Sequence, residues 1–276
     1  MHKRVTITAD VMFVSGVPFL VTLSRKIKFR TTQFLPKRTA KTLADSLTKV
    51  IMLYARGGFI VNLDLMDKEF DAIKEFVPFL EVNTAAEREN VGEIERDIQQ
   101  IKYRVRYTTS EFTFKNIPTM VLIYTVYNIC LWLNALPIRS GIIGGFSSRE
   151  LITGLTVNFK DHCKFDVGGY VKASTNVVIT NDNSDRTHAC IFLGLSGNRQ
   201  GSLNCFDLET GKVLVQRSVK QIFWPDRLLK KAEYWGKKGK SAVLRGQIKF
   251  LNRHGLKFDW DNDDLKEIEL IKTDEN

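Results

Sequence analysis

The sequence predicts an α/β protein in two parts, a mixed five-stranded sheet with helices followed by a small β-barrel. Three observations carry that expectation. Three β-prone runs follow one another at 5–14, 17–24 and 26–35. Segments with helical apolar spacing come next, at 39–54, 93–108 and 117–135. Beyond a Gly-rich joint at Pro137 to Gly145, the chain turns to short β-prone runs separated by turn residues.

Ser15-Gly16 supplies the turn between the first two strands, and Pro36 ends the third. Leu43, Leu47, Val50, Ile51 and Tyr54 recur at helical spacing, and Gly57-Gly58 stops that helix. A fourth strand is expected over 59–66, a short helix over Asp71 to Phe76, and a fifth strand over Phe79 to Val82. Ser148 to Thr153 reads as a short helix. Strands then fall at Gly168 to Lys172, Ala189 to Gly194, Leu203 to Phe206 and Lys212 to Val215, with Pro225 closing the region. Three antiparallel strands, a helix, a strand and further helices match the element order of a ribonuclease-H-like α/β fold.

The chain has 276 residues and a formal net charge of +10, so a polyanion is a sensible partner, nucleic acid before an anionic membrane. Met120 to Ile138 is the most apolar stretch, but Thr125, Asn128 and Asn134 interrupt it and Pro137 ends it, which favours a buried core helix over a membrane span. His2-Lys-Arg4 is basic, yet Asp10 breaks the apolar run a signal peptide needs. Cys130, Cys163, Cys190 and Cys205 form no C-x-x-C pair and the four histidines make no zinc finger, so the cysteines read as reduced and intracellular. The end of the chain divides by charge: 226–257 holds ten Lys/Arg against two acids, and 258–276 holds eight acids against two Lys. Such blocks ordinarily belong to solvated segments.

Three acids stand out as candidate ligands for a hard cation. Asp10 lies in the apolar run Thr6 to Val14, Asp67 follows the run Phe59 to Met66, and Glu95 opens a polar helix. Carboxylates at two strand ends and one helix can converge on Mg²⁺, which takes oxygen ligands. Asp64 rivals Asp67, and Glu87, Glu89 and Glu93 rival Glu95. Gln99, Lys102 and Arg106 lie 4, 7 and 11 residues after Glu95 and share its helix face, a carboxylate with two cations suited to metal and phosphate. Lys68 beside Asp67 either competes with a metal for that carboxylate or contacts a phosphate. Lys230, Lys231, Lys237 and Lys238, with Tyr234 and Trp235 between, suit the backbone and bases of a nucleic acid.

These residues resemble the integrase region of copia-type retrotransposon polyproteins over most of the chain. Ala9-Asp-Val-Met-Phe-Val14, Met66-Asp-Lys-Glu-Phe70 and Val91-Gly-Glu-Ile-Glu-Arg96 occupy the family's first-Asp, second-Asp and Glu-Arg motifs in order. Gly169-Tyr-Val171, Ala189-Cys-Ile-Phe-Leu-Gly194, Asp207-Leu-Glu-Thr-Gly-Lys-Val213 and Arg217-Ser-Val219 resemble the SH3-like barrel that follows that core. The chain departs from the family in Lys68, in the short interval of 28 residues from Asp67 to Glu95, and in lacking the His/Cys zinc module.

The resemblance implies a ribonuclease-H-like integrase catalytic core at 1–137, a linker with a short helix at 138–165, an SH3-like β-barrel at 166–225 and a basic then acidic tail at 226–276. It implies metal-dependent DNA strand transfer, with Asp10, Asp67 and Glu95 as catalytic ligands of two Mg²⁺ (or Mn²⁺) ions. Arg96, Lys102 and Arg106 would position DNA, both element ends and target duplex, through phosphates. No membrane role is expected, nuclear residence is favoured over cytoplasmic, and a homo-oligomer is left open. Two other classes stay open: a catalytically dead or domesticated remnant that binds nucleic acid, and a protein-interaction module.

Overall fold

The computed structural model describes residues 4–63, 68–78, 91–137, 145–174, 186–197, 201–239 and 243–251. Asp64, Asp67, the expected fifth strand over Phe79 to Val82, Glu87 and Glu89 lie outside the described residues.

Strands β1 (Arg4–Val14), β2 (Val17–Ser24) and β3 (Arg30–Phe34) form an antiparallel meander. Ser15 and Gly16 sit at φ 48° and 82°. Two positive φ values in a two-residue loop match the strand twist, and a glycine adopts one of them without a Cβ penalty. The third strand starts later than its sequence pattern predicts. Lys28 takes φ 59° and its N–H bonds the Ser24 carbonyl, so 25–28 is a tight turn and pairing resumes only at Arg30.

Helix α1 (Ala40–Arg56) crosses back over the sheet. The Thr39 hydroxyl accepts the Thr42 N–H at its start, and Leu43, Leu47, Val50 and Tyr54 form its buried stripe. Strand β4 (Ile60–Leu63) then runs parallel to β1, with Leu63 level with Ile7. The order across the sheet is β3-β2-β1-β4.

Parity along β1 divides the protein into two layers. Val5, Ile7, Ala9 and Val11 point to the α1 side. Met12 and Val14 point to the other side, with Phe19 and Val21 of β2, against α2 (Val91–Ser110) and α3 (Thr119–Ala135). Each fully buried side chain of this size contributes about 1.5–3 kcal/mol. Helix α3 also closes the β3 edge. The Arg30 N–H donates to Asn134 Oδ1 (2.9 Å), Asn134 Nδ2 donates to the Arg30 carbonyl (2.7 Å), and the Phe34 N–H donates to the Tyr127 hydroxyl (3.0 Å). Side chains of one helix thus do what another strand would do. Among the described residues no helix is long and apolar enough to cross a membrane.

A two-residue strand β5 (Asn116–Ile117) precedes α3, and two short helices follow it, α4 (Ser148–Thr153) and α5 (Phe159–His162). A Ser147–Glu150 capping box starts α4. The second sheet is an antiparallel meander, β6 (Tyr170–Ser174), β7 (Thr187–Leu195), β8 (Leu203–Asp207) and β9 (Val213–Gln216). Strand β10 (Val219–Gln221) returns to pair with β6, giving the order β10-β6-β7-β8-β9. Val171, Ala173, Cys190, Phe192, Leu203 and Cys205 make a small core on one face. Burial raises the Cys205 thiol to about 12, keeping it protonated. Tyr170, Ile191, Leu193 and Phe206 on the other face join the core of α2 and α3.

Residues 226–239 and 243–251, expected from their charge to be solvated, are built into the fold. Helix α6 (Asp226–Lys238) buries Leu228, Ala232 and Gly236. Trp235 Nε1 donates to the Leu208 carbonyl (2.9 Å), and the Glu233 carboxylate accepts the N–H groups of Lys115 and Asn116. A Cβ on Gly236 would collide with the Asn116 carbonyl, so glycine sets how closely α6 meets β5. Strand β11 (Val243–Leu244) pairs with β5, and β12 (Phe250–Leu251) pairs with Phe13 and Val14 of β1. The charge count concealed a helix whose cations all lie on one side.

Candidate metal and nucleic-acid site

Asp10 sits mid-strand on β1, opposite Val21. Its parity matches Met12 and Val14, so its carboxylate belongs to the layer of α2 and α3. It is half-buried, and Oδ1 accepts the Val11 N–H at 2.7 Å. Strand β4, running the same way as β1, ends at Leu63 about 10 Å short of the Asp10 level. Asp67 lies outside the described residues. The chain resumes in a 3₁₀ turn, Lys68–Ile73, whose Phe70 and Ile73 are buried in the α1 layer.

Helix α2 presents three different sides. Ile94, Ile98, Ile101 and Val105 face the sheet and are buried. One flank carries Glu93 and Asp97. Lys28 pairs with Glu93, Arg25 approaches it at 3.8 Å, and Arg30 pairs with Asp97, which is 3% exposed. Burial raises the Asp97 carboxyl above its ordinary range even with Arg30 alongside. The rival Glu93 is therefore part of a structural clasp between α2 and the β2–β3 hairpin.

The opposite flank carries Glu95, Lys102 and Arg106, set by the 100° step of the helix. The Arg106 guanidinium lies 5.6 Å over the ring of Phe250, the β12 residue that pairs with Val14. This flank faces the β1 side of the sheet. At the other end Asp97 is held by Arg30, whose cross-strand neighbours are Leu23 and then Thr8. Helix α2 thus runs along β1 from the level of Thr8 to that of Val14. Asp10 faces the intervening stretch, with Lys102 on the near flank and Glu95 on the same flank two residues before Asp97. The described residues bring two of the three predicted carboxylates onto one side of the sheet. They contain no cluster of three metal-ligating side chains.

Lys102 departs from expectation. Its side chain is 0% exposed and its Nζ lies 5.4 Å over the Tyr103 ring. A buried ammonium has no surface to offer a DNA phosphate, and a helix-face count cannot see that. Arg96 and Arg106 are exposed. So are Lys230, Lys237 and Lys238 on the outer face of α6, where Lys238 Nζ lies 4.7 Å over Trp235. Lys231 pairs with Glu209.

Sequence reasoning missed a cavity of about 880 Å³ between α2, α3 and the second sheet. Tyr107, Trp132, Phe165, Phe223 and Trp224 line it, and Phe223 is 98% exposed. The Phe223-Trp224-Pro225 run was its one legible signal, and it read only as the end of the barrel.

No family profile matches the chain, and no curated protein matches it. Among solved structures it is similar to the catalytic core domain of BIV integrase. Identity is 15% and the TM-score 0.38, over 58% of this chain and 97% of that one. A likeness that slight assigns no activity.

Proposed function

We propose that this chain is an integrase-like polynucleotidyl transferase of the copia type, acting on DNA with divalent metal. The observation that carries the reading is the placement of Asp10 in the middle of β1, on the layer where α2 turns its Glu95 flank toward β1. The strand order β3-β2-β1-β4, with α1 joining β3 to β4, supports a ribonuclease-H-like core. The return of β10 to β6 after a four-strand meander supports an SH3-like module over 166–225.

The donor set is all oxygen, which fits Mg²⁺ or Mn²⁺. Asp10, Asp67 and Glu95 would hold the ions, which when bound would activate the attacking oxygen and stabilise the leaving 3′-oxygen. The protein's own residues orient and exclude. The β1 ladder fixes Asp10, the Glu93–Asp97 clasp fixes the pitch of α2, and Arg96 and Arg106 meet phosphates. Lys102 serves as a buried cation on the Glu95 flank of α2. The outer face of α6 extends the positive surface, with Tyr234 among its cations. Nuclear residence and self-association follow from the same reading.

The test is Mg²⁺- or Mn²⁺-dependent nicking and strand transfer on an oligonucleotide duplex, with Asp67→Asn and Asp10→Asn alongside. Activity in the parent that both variants lose supports the reading. A parent that binds DNA and cuts none supports a second one, a nucleic-acid-binding remnant. The burial of Lys102 on the candidate metal flank favours that alternative.

A further inference from the structure

A second cavity, about 540 Å³, opens where α4, α5 and the second sheet meet. Its walls carry Arg149, His162, Lys164 and Arg217, four cationic or protonatable side chains from three stretches of chain. Among the described residues its lining contains no carboxylate.

Arg149 is the clearest member. It is half-buried, and its Nε is enclosed without a hydrogen-bond partner among the described residues. Desolvation lowers its pKa from the ordinary arginine value. An Nε–H closed off from water with no acceptor carries an unfavourable burial cost that a bound anion removes. Lys164 is held at the rim by its own neighbour, with Nζ 5.4 Å over the Phe165 ring. His162 Nδ1 donates to the Asn158 carbonyl (2.8 Å), so Nε2 is its remaining polar atom. Thr156 and Ser202 add hydroxyls to the lining, and Leu155, Leu195 and Leu203 add apolar surface.

We propose that this cavity is a binding site for a compact oligophosphate, a free small anion carrying several phosphate groups. Its volume lies in the range of small-molecule sites. The spread of cations around an enclosed space suits adjoining phosphates better than a single carboxylate. Its concavity distinguishes it from the exposed cationic face of α6, which suits the convex backbone of a duplex. The site is separate from the Asp10–Glu95 layer and stands whether or not that layer is catalytic.

The experiment is calorimetric titration of the full chain with inorganic triphosphate at physiological ionic strength, alone and after saturation with a short DNA duplex. The expected result is one saturable site per chain that persists in the presence of DNA. Arg217→Gln and Lys164→Gln, both on exposed side chains, should each weaken it about tenfold, while Lys49→Gln on α1 leaves it unchanged. Circular dichroism of each variant verifies folding, which is why these positions are used ahead of Arg149. Absence of saturation, unchanged parental affinity in both variants, or equimolar displacement by the duplex would overturn the proposal.

Discussion

Glu93 and Asp97 lie on one flank of α2, and Glu95 on the other. In sequence they form a single acidic cluster at a helix start. In space the first pair is answered by Lys28, Arg25 and Arg30 from the β2–β3 hairpin. Glu95 instead belongs to the flank that carries Lys102 and Arg106 toward β1 and β12. The difference teaches that an acid's role in this fold follows from the strand its flank covers. The clasp side positions the helix, and the other side carries the proposed metal ligand.

The sharpest way to break this comparison is to remove one acid from each flank. Asp97→Ala strands the buried Arg30 guanidinium without its partner, and urea denaturation should show a loss of about 3–5 kcal/mol. Replacing Arg30 and Asp97 together with apolar residues of similar size should recover most of it. Glu95→Gln should do the reverse. It leaves the denaturation midpoint in place and lowers metal-dependent strand transfer at least about a hundredfold, beyond the usual cost of losing a supporting group around a metal. A large stability loss at Glu95, or intact activity there, would erase the distinction between flanks.

A smaller effect separates the cations. In a salt titration of DNA binding, Lys230→Gln or Lys237→Gln should reduce the slope of log affinity against log salt by about 0.9 for each phosphate left without its cation. Lys102→Met should leave the slope unchanged, because its ammonium is buried. The smallest effect concerns α6. Burial acts to raise the Glu233 carboxyl, but hydrogen bonds from the Asn116 side chain and from the Lys115 and Asn116 amides, with Lys237 nearby, lower it overall from 4.5. A lowered folded value means the stabilisation is fully present above 4.5 and disappears as pH falls through the folded value. Acid titration followed by Trp235 fluorescence should show α6 loosening in that window, and Glu233→Gln should remove the dependence.

Much of the fold was legible. The hairpin at Ser15-Gly16, the stripe of α1, and helices α2, α3 and α4 follow from local periodicity and capping, which depend on neighbours in sequence. The start of β3 was not, because a positive φ at Lys28 ends an otherwise unbroken β-prone run. The fate of 226–239 and 243–251 was not either. A charge total sums over all faces of a helix, and a two-residue strand leaves no periodic signal. At the candidate site, the choice of Asp10 came from its apolar strand, and the shared face of Glu95, Lys102 and Arg106 from helical spacing. What spacing omits is depth, and depth is what separates the buried Lys102 from the exposed Arg106.

The pairing of β12 with β1 has a consequence for biosynthesis. Phe13 and Val14 are translated before Phe250 and Leu251, with nearly the whole described fold between them. Until those residues leave the ribosome, that stretch of β1 presents open amide and carbonyl groups beside Met12 and Val14, which are fully buried in the finished protein. Closure of the sheet is therefore a late, non-local event. While the residues between the two strands are being made, the polypeptide carries an exposed strand edge, the type of surface that chaperones engage and that aggregates nucleate upon.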